Sequence, residues 1–329
     1  MADKFSNHSL VIVIIKSFEF NFAPVMFINP RRVCFHFYPL LIIIAIVSVI
    51  LVGCSGNEKS KARKPNPLFS NGVNSEGKSV FPPLEVGLQT IELDSVNVDI
   101  QVPDGKINGD ILVLPGWNFG RDRWCAGSDL CSKALAKGYR LIMPEMGLSV
   151  YSTHYFPQTR DDWRNAPTGI WLSDTLIPYV QRFFGLLIPG KRNFIVGLST
   201  GGRGVVMTSL RTVNLFKAGA SLSGDFDQSQ TPYDAVMTGF YGSFDENRDL
   251  WMNFDNPMHE AAFLKVPMYL GHGLNDPIVP VEQTQSFYKT LTEVNPKLNV
   301  VLHLVPEAGH DFYYWNSEVD AVLNFFEEH

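Results

Sequence analysis

The chain has 329 residues, of which 45% are hydrophobic and 18% are charged, a composition typical of a globular protein with a sizeable core and not of a disordered one. Its net charge of −6 and the lack of a basic stripe interleaved with aromatic residues argue against nucleic acid as a partner, because a binder needs a positive face. The apolar residues are unevenly spread, and many of them lie in the first 54 positions.

The first element along the chain is an uncharged run of thirteen residues, Leu40–Val52. A membrane-spanning helix needs about 20 apolar residues, whereas the apolar core of a secretory signal has about 7–15. Arg31 and Arg32 supply the positive charge that precedes such a core, and Gly53-Cys54 ends it. This pattern resembles the bacterial lipoprotein signal, in which a cysteine is lipidated and becomes the mature N-terminus. An uncleaved membrane anchor is the alternative.

The lipoprotein interpretation predicts an exported, membrane-anchored protein on the periplasmic face or the cell surface, held by the lipid on Cys54. Residues 1–54 are then a targeting segment. A leader that begins at Met1 is unusually long, a start at Met26 would give an ordinary length, and both starts stay open. Residues 55–83 are polar, contain several prolines and show no hydrophobic period, which predicts a flexible tether.

From residue 84 onward, short apolar runs alternate with longer helical patterns. This alternation predicts one α/β domain over residues 84–329, with a mostly parallel sheet and helices on both faces. The predicted strands are Leu88–Leu93, Val96–Val102, Asp110–Leu114, Arg140–Met143, Asn193–Gly197, Ala218–Leu222, Met268–Gly271 and Val300–Leu304, the first two as an antiparallel hairpin. The predicted helices are Asp129–Lys137, Gly169–Phe184, Gly201–Val213, Val281–Val294 and Ser317–Glu328.

The motif that indicates chemistry is the pentapeptide Gly197-Leu198-Ser199-Thr200-Gly201. It lies between a predicted strand and a predicted helix, which is the context that a G-x-S-x-G nucleophile motif requires. The serine of such a motif occupies a sharp turn, so the positions two before and two after it must lack side chains. Ser199 is therefore the predicted nucleophile.

Two later loops supply partners in the chain order serine, acid, histidine. Asp276 follows the strand that begins at Met268, and His310 follows the strand that begins at Val300, so all three side chains are expected at the carboxyl ends of strands. Asp276 is alternatively a turn residue, and His310 a cap of the last helix. His272 is a rival base for which a packing role is favoured. The rival acids are Asp225, Asp227 and Asp245. They come too soon after the serine for the usual acid position, but they are candidates to line the site.

Two backbone N–H groups are predicted to bind the oxyanion that forms during acyl transfer. One belongs to Thr200, directly after the nucleophile, and the other to Trp117, in the loop after the strand that ends at Leu114. Gly116 allows the backbone of that loop to approach closely.

Two cysteines, Cys125 and Cys131, remain in the body of the domain. In an exported protein such a pair favours a disulfide. Two buried thiols are the alternative, since the spacing is compatible with either.

With these residues placed, residues 84–329 resemble the branch of the α/β-hydrolases that contains esterase D-like and antigen-85-like proteins. The similarity rests on the segments 197–202, 221–225 and 309–315. It implies the α/β-hydrolase fold, hydrolysis of a small-molecule or glycan-linked carboxylic ester, no metal ion and no organic cofactor. Two departures from the family pattern are Thr200, where Met is frequent, and Pro115-Gly116, where His-Gly often opens the oxyanion loop.

The expected function is that of a serine hydrolase that cleaves esters through Ser199, His310 and Asp276 and an acyl-enzyme intermediate. A serine peptidase and an acyltransferase of the same fold are the alternatives within the enzymes. A ligand-binding surface lipoprotein without catalysis is the alternative of another class. No pattern in the sequence fixes the acyl group, the alcohol or the oligomeric state.

Overall fold

A computed structural model describes residues 84–329 of the chain. The predicted targeting segment with both candidate starts, the lipidation site Cys54 and the tether of residues 55–83 lie outside the described residues.

The described residues form one eight-stranded sheet with the strand order β1-β2-β4-β3-β5-β6-β7-β8. The strands are β1 (Gly87–Leu93), β2 (Val96–Val102), β3 (Gly109–Leu114), β4 (Tyr139–Pro144), β5 (Asn193–Leu198), β6 (Ala218–Leu222), β7 (Met268–Gly273) and β8 (Val300–Val305). The β2 strand pairs antiparallel with β1 and with β4, and every other pairing is parallel. The eight predicted strands and the mostly parallel sheet are confirmed, with strand ends that differ by one or two residues.

Ten α-helices accompany these strands in the described part of the chain. They are α1 (Arg123–Gly127), α2 (Leu130–Ala136), α3 (Ile177–Phe184), α4 (Thr200–Arg211), α5 (Ala235–Tyr241), α6 (Arg248–Asn253), α7 (Pro257–Glu260), α8 (Glu282–Val294), α9 (Phe312–Ser317) and α10 (Val319–Glu327). Short 3-10 turns lie at Asp161–Trp163, Gln228–Gln230 and Ala261–Phe263.

One predicted helix is divided in the structure. The helix predicted over 169–184 is a π-helical segment, Trp171–Leu176, that continues into α3. Pro178 lies in the first turn of α3 and has no N–H to donate, so the α-helical hydrogen-bond pattern is interrupted at this junction. The predicted terminal helix is confirmed as α10, and a separate helix that was not predicted, α9, precedes it, begun by the Asp311 carboxylate, which accepts the Tyr314 N–H.

Helices pack on both faces of the sheet because neighbouring strand residues point to opposite sides. Leu112 and Leu114 belong to a core shared with α3, α4 and α8. Ile111 and Val113 belong to a second core shared with α1, α2 and α10. The predicted arrangement of helices on both faces is therefore confirmed.

A smaller third core is built from the loop after β4 and from the helices that follow β6. Its buried members are Val150, Phe156, Trp163, Met237, Phe240, Tyr241 and Trp251. Trp117, from the loop after β3, packs edge-on against Trp163 with ring centroids 4.6 Å apart. This cluster therefore forms a cap beside the loops that carry the predicted catalytic residues.

Cys125 of α1 and Cys131 of α2 are joined by a disulfide. Of the helices in residues 84–329, none has both the length and the apolar character needed to cross a membrane.

Candidate active site

Ser199 occupies the sharp turn between β5 and α4. Its φ of 55° lies in the left-handed region and its ψ is −127°, a conformation that costs a side-chain-bearing residue about 1–3 kcal/mol. The Ser199 N–H donates to the Leu222 carbonyl at 2.8 Å, which ties the turn to β6. A Cβ atom on Gly197 would lie 2.2 Å from the Gly201 carbonyl oxygen, so any side chain at position 197 would clash with the backbone of the turn.

The structure brings Ser199, His310 and Asp276 together in a hydrogen-bonded chain. His310 Nε2 lies 3.0 Å from Ser199 Oγ, and His310 Nδ1 lies 2.7 Å from Asp276 Oδ2. The carboxylate accepts a hydrogen bond from the Nδ1–H group, which leaves Nε2 free to accept one from the Ser199 hydroxyl. Trp315 packs edge-on against the imidazole with ring centroids 5.0 Å apart and restricts its rotation.

The Asp276 carboxylate is fully buried and accepts hydrogen bonds on both oxygens. Oδ1 accepts the N–H groups of Ile278 and Val279 at 2.9 Å each, and Oδ2 is shared by His310 and His272. Burial alone would raise the pKa of Asp276, but these hydrogen bonds outweigh it and hold the pKa well below its usual range. The side chain thus shapes its own turn and also contacts His310.

His272, the rival base for which a packing role was favoured, lies beside the Asp276 carboxylate. It is fully buried, as a packing role requires, but its Nε2 lies 3.2 Å from Asp276 Oδ2 and 3.0 Å from the Val279 carbonyl oxygen. Both of these partners only accept, so Nε2 carries the proton, and in the neutral ring Nδ1 accepts the Thr284 hydroxyl at 2.6 Å. His272 lies in β7 and Asp276 in the following loop, where a spacing of four residues does not predict contact, so no sequence pattern indicated this pair.

The two predicted oxyanion donors lie on loops beside the nucleophile. Thr200 is the first residue of α4, so its N–H has no acceptor within the helix. The Gly116 backbone abuts the nucleophile, since a Cβ there would lie 3.2 Å from Ser199 Cβ. The next N–H, that of Trp117, has no hydrogen-bond partner in residues 84–329, whereas the following one, Asn118, donates to the Gly147 carbonyl at 2.8 Å.

A cavity of about 240 Å³ opens beside Ser199 and His310. Trp117, Met237 and Val279 contribute apolar walls, and Asp225 and Asp234 contribute carboxylates. The cavity thus lies between the strand ends and the cap cluster.

The rival acids do not contact His310 in the described part of the chain. Asp225 lines the cavity and pairs with Arg203 at 3.1 Å. Asp227 is engaged by Ser229, Gln230 and Asn256. Asp245 is exposed and lies outside the cavity wall.

Known proteins share this architecture. Residues 184–329 match the profile of the Prolyl oligopeptidase family. Dipeptidyl aminopeptidase BIII from Pseudoxanthomonas mexicana is 24% identical over 273 residues, which cover 74% of this chain and 38% of the relative. The chain therefore spans well under half the length of that curated relative.

Two solved structures superpose over most of their own length. FphF, a fluorophosphonate-binding serine hydrolase of Staphylococcus aureus, has a TM-score of 0.58 at 17% identity and covers 74% of this chain and 99% of that one. An S-formylglutathione hydrolase from Agrobacterium tumefaciens has a TM-score of 0.57 at 13% identity and covers 76% and 98%. The chain has the α/β-hydrolase fold, as the sequence resemblance predicted. Esterases and peptidases of the serine hydrolase type are among the proteins to which it is similar.

Proposed function

We propose that the protein is a carboxylic ester hydrolase with Ser199 as its nucleophile. The observation that carries the proposal is the chain of hydrogen bonds from Ser199 Oγ through His310 to Asp276, at 3.0 and 2.7 Å. Such a chain activates a hydroxyl that is otherwise a weak nucleophile. The depressed pKa of Asp276 keeps this carboxylate charged, so that it can orient His310 and stabilise the imidazolium.

The proposed reaction has two steps, acylation and deacylation of Ser199. His310 Nε2 takes the Ser199 proton while Oγ bonds to the ester carbonyl carbon, and the tetrahedral intermediate collapses as the bond to the alcohol oxygen breaks. His310 returns its proton to the leaving alcohol. Water then attacks the acyl-enzyme with the same base, which releases the acid and restores the Ser199 hydroxyl.

The N–H groups of Trp117 and Thr200 are proposed to stabilise the oxyanion in both steps. Their support is the close approach of Gly116 to Ser199 and the lack of another acceptor for the Trp117 N–H in residues 84–329. Removing one such donor typically lowers turnover by about 10²–10³.

Peptide hydrolysis is a second candidate, since the Prolyl oligopeptidase profile covers residues 184–329 and the curated relative is named a dipeptidyl aminopeptidase. Ester hydrolysis is favoured because the named hydrolase structures match this fold over nearly their whole length. The motifs at 197–202 and 309–315 also resemble the esterase branch.

A fluorophosphonate probe tests the nucleophile. We expect it to label the wild type and the control Ser132→Ala, which alters an exposed serine of α2, but not Ser199→Ala. We then expect turnover of p-nitrophenyl acetate, absent in Ser199→Ala, and little turnover of dipeptide p-nitroanilides. Faster cleavage of the anilides would favour the peptidase. An unlabelled, folded wild type would overturn the serine hydrolase mechanism and leave a ligand-binding protein.

The domain is further proposed to work outside the cytoplasm, anchored through a lipid on Cys54. The support is the sequence pattern alone: Arg31 and Arg32, the apolar run Leu40–Val52, and a cysteine at its end. Two or more acyl chains give stable anchoring.

A further inference from the structure

The cavity beside Ser199 has an acidic wall. Asp225, from the loop after β6, and Asp234, which caps α5, both line it, and no Lys or Arg side chain does so in the described part of the chain. Asp225 is only 8% exposed, so its carboxylate is not an ordinary solvated surface group.

One oxygen of Asp225 is available to a ligand. Oδ2 accepts from Arg203 Nη1 at 3.1 Å, whereas no other residue in 84–329 donates a hydrogen bond to Oδ1. Arg203 is fully buried and is not part of the cavity wall, so Asp225 separates the guanidinium from the cavity. Burial raises the pKa of Asp225 above its usual value against the opposing effect of Arg203, and the negative charge of Asp234 adds to the rise.

Arg203 and the partly buried Arg211 do not neutralise the whole of this wall. Arg203 faces Asp225, and Arg211 pairs with Asp255 at 3.1 Å, so two cations are matched by two anions. Neither arginine balances the charge of Asp234, whose Oδ1 caps α5 by accepting the Met237 N–H at 2.8 Å. The cavity therefore carries a net negative potential next to the nucleophile.

We infer that this cavity binds a cationic group of the substrate, and that the substrates are esters bearing an ammonium group close to the scissile bond. The inference deepens the proposed ester hydrolysis and rests on it. Asp225 and Asp234 are its specificity-determining residues. A neutral substituent would expel water and leave Asp225 Oδ1 unpaired, which is unfavourable. An anionic substituent would add a like charge beside two carboxylates.

Pairs of esters that differ only in charge separate the effect of charge on turnover from the effects of size and shape. One is the p-nitrophenyl ester of γ-trimethylammoniobutyric acid, and the other is its neutral isostere with carbon in place of nitrogen. A second pair, acetylcholine and its carbon isostere 3,3-dimethylbutyl acetate, places the charge on the alcohol side. We expect the wild type to favour the cationic member of at least one pair by about tenfold in kcat/KM.

Three substitutions locate the effect. Asp225→Asn should lower the cation preference about tenfold, and Asp234→Asn by several-fold, because Asp234 is less buried. Asn retains the helix-capping ability of Asp234, so this variant is expected to fold even if Asp225→Asn unfolds around an unpaired Arg203. Asp245→Asn, on an exposed acid outside the cavity, should leave the preference unchanged.

A wild-type ratio near or below one in both pairs would overturn the inference, as would a ratio that survives both cavity substitutions. Turnover of the neutral esters by the wild type, and its loss in Ser199→Ala, report separately on the proposed function. Hydrolysis of neither member of either pair, with p-nitrophenyl acetate still turned over, would overturn the inference alone. Loss of p-nitrophenyl acetate turnover as well would overturn the proposed function and the inference with it.

Discussion

Replacing His272 with Phe tests whether this buried histidine positions the Asp276 carboxylate. Phe keeps the ring shape in a fully buried site but removes the Nε2 donor that lies 3.2 Å from Asp276 Oδ2. A hydrogen bond to a charged group contributes about 1.5–3 kcal/mol, and about 1.4 kcal/mol in a barrier changes the rate tenfold. Three other donors still hold Asp276, so we expect the lower end, a loss in kcat/KM of about tenfold.

The assay is the kcat/KM of p-nitrophenyl acetate, with the melting temperature measured in parallel. His272→Gln, whose amide can donate from a similar position, should recover part of the loss. Thr284→Val removes the hydroxyl that sets the His272 tautomer and should cost less, whereas Thr284→Ser keeps that hydroxyl and should behave as wild type.

The NMR chemical shift of the low-field proton in the His310–Asp276 hydrogen bond separates positioning from stability, because a general loss of stability would not change it. We expect this resonance to shift in His272→Phe and to return towards its original position in His272→Gln. A folded His272→Phe variant that retains kcat/KM within about twofold, with the resonance in place, would refute the positioning role, because a lost charge-assisted bond would then have no effect.

Three further outcomes follow from single contacts and charges. Gly201→Ala would place a Cβ 2.5 Å from a backbone carbonyl oxygen, so we expect a loss of about 1–3 kcal/mol in the free energy of unfolding and a large fall in kcat. Urea unfolding and ester turnover measure these two effects. A variant with unchanged stability and turnover would contradict the steric argument. Burial raises the pKa of Tyr151 and of Tyr241 in the folded state. Their contribution to stability is therefore complete below about pH 10 and is lost as the pH rises towards the folded-state pKa. The free energy of unfolding falls by up to about 1.4 kcal/mol per pH unit for each residue. Urea unfolding between about pH 8 and 11 measures this decline, and a flat profile would disprove it. Cys54→Ala should abolish incorporation of labelled fatty acid, whereas Cys34→Ala should not, and labelled Cys54→Ala protein would show that the lipid is elsewhere.

The strands and the order of the proposed triad were predictable because each depends on a local pattern. A buried parallel strand is a short apolar run, and the loops that follow β5, β7 and β8 must emerge at one edge of the sheet. Ser199, Asp276 and His310 therefore converge by topology, before any side-chain contact is considered.

The cap helices α5 to α7 were not predicted, for a physical reason. Each is four to seven residues long, too short to show a helical period. Asp234 and Asn256 begin two of them through side-chain caps. The apolar faces of α5 and α6 pack on aromatic residues of a distant loop, such as Phe156 and Trp163, and no local pattern encodes that pairing.

The two histidines on Asp276 share one carboxylate oxygen but differ in what else they reach. His310 contacts Ser199 and borders the cavity, whereas His272 is sealed in the core against Val279 and Thr284. During the proposed reaction His310 gains and loses a proton, and its hydrogen bond to Asp276 strengthens and weakens in turn. His272 has no access to substrate and keeps its tautomer, so it supplies a constant donor to the same oxygen. We therefore expect Asp276 to hold its orientation through the catalytic cycle because its buried partner does not take part in the chemistry.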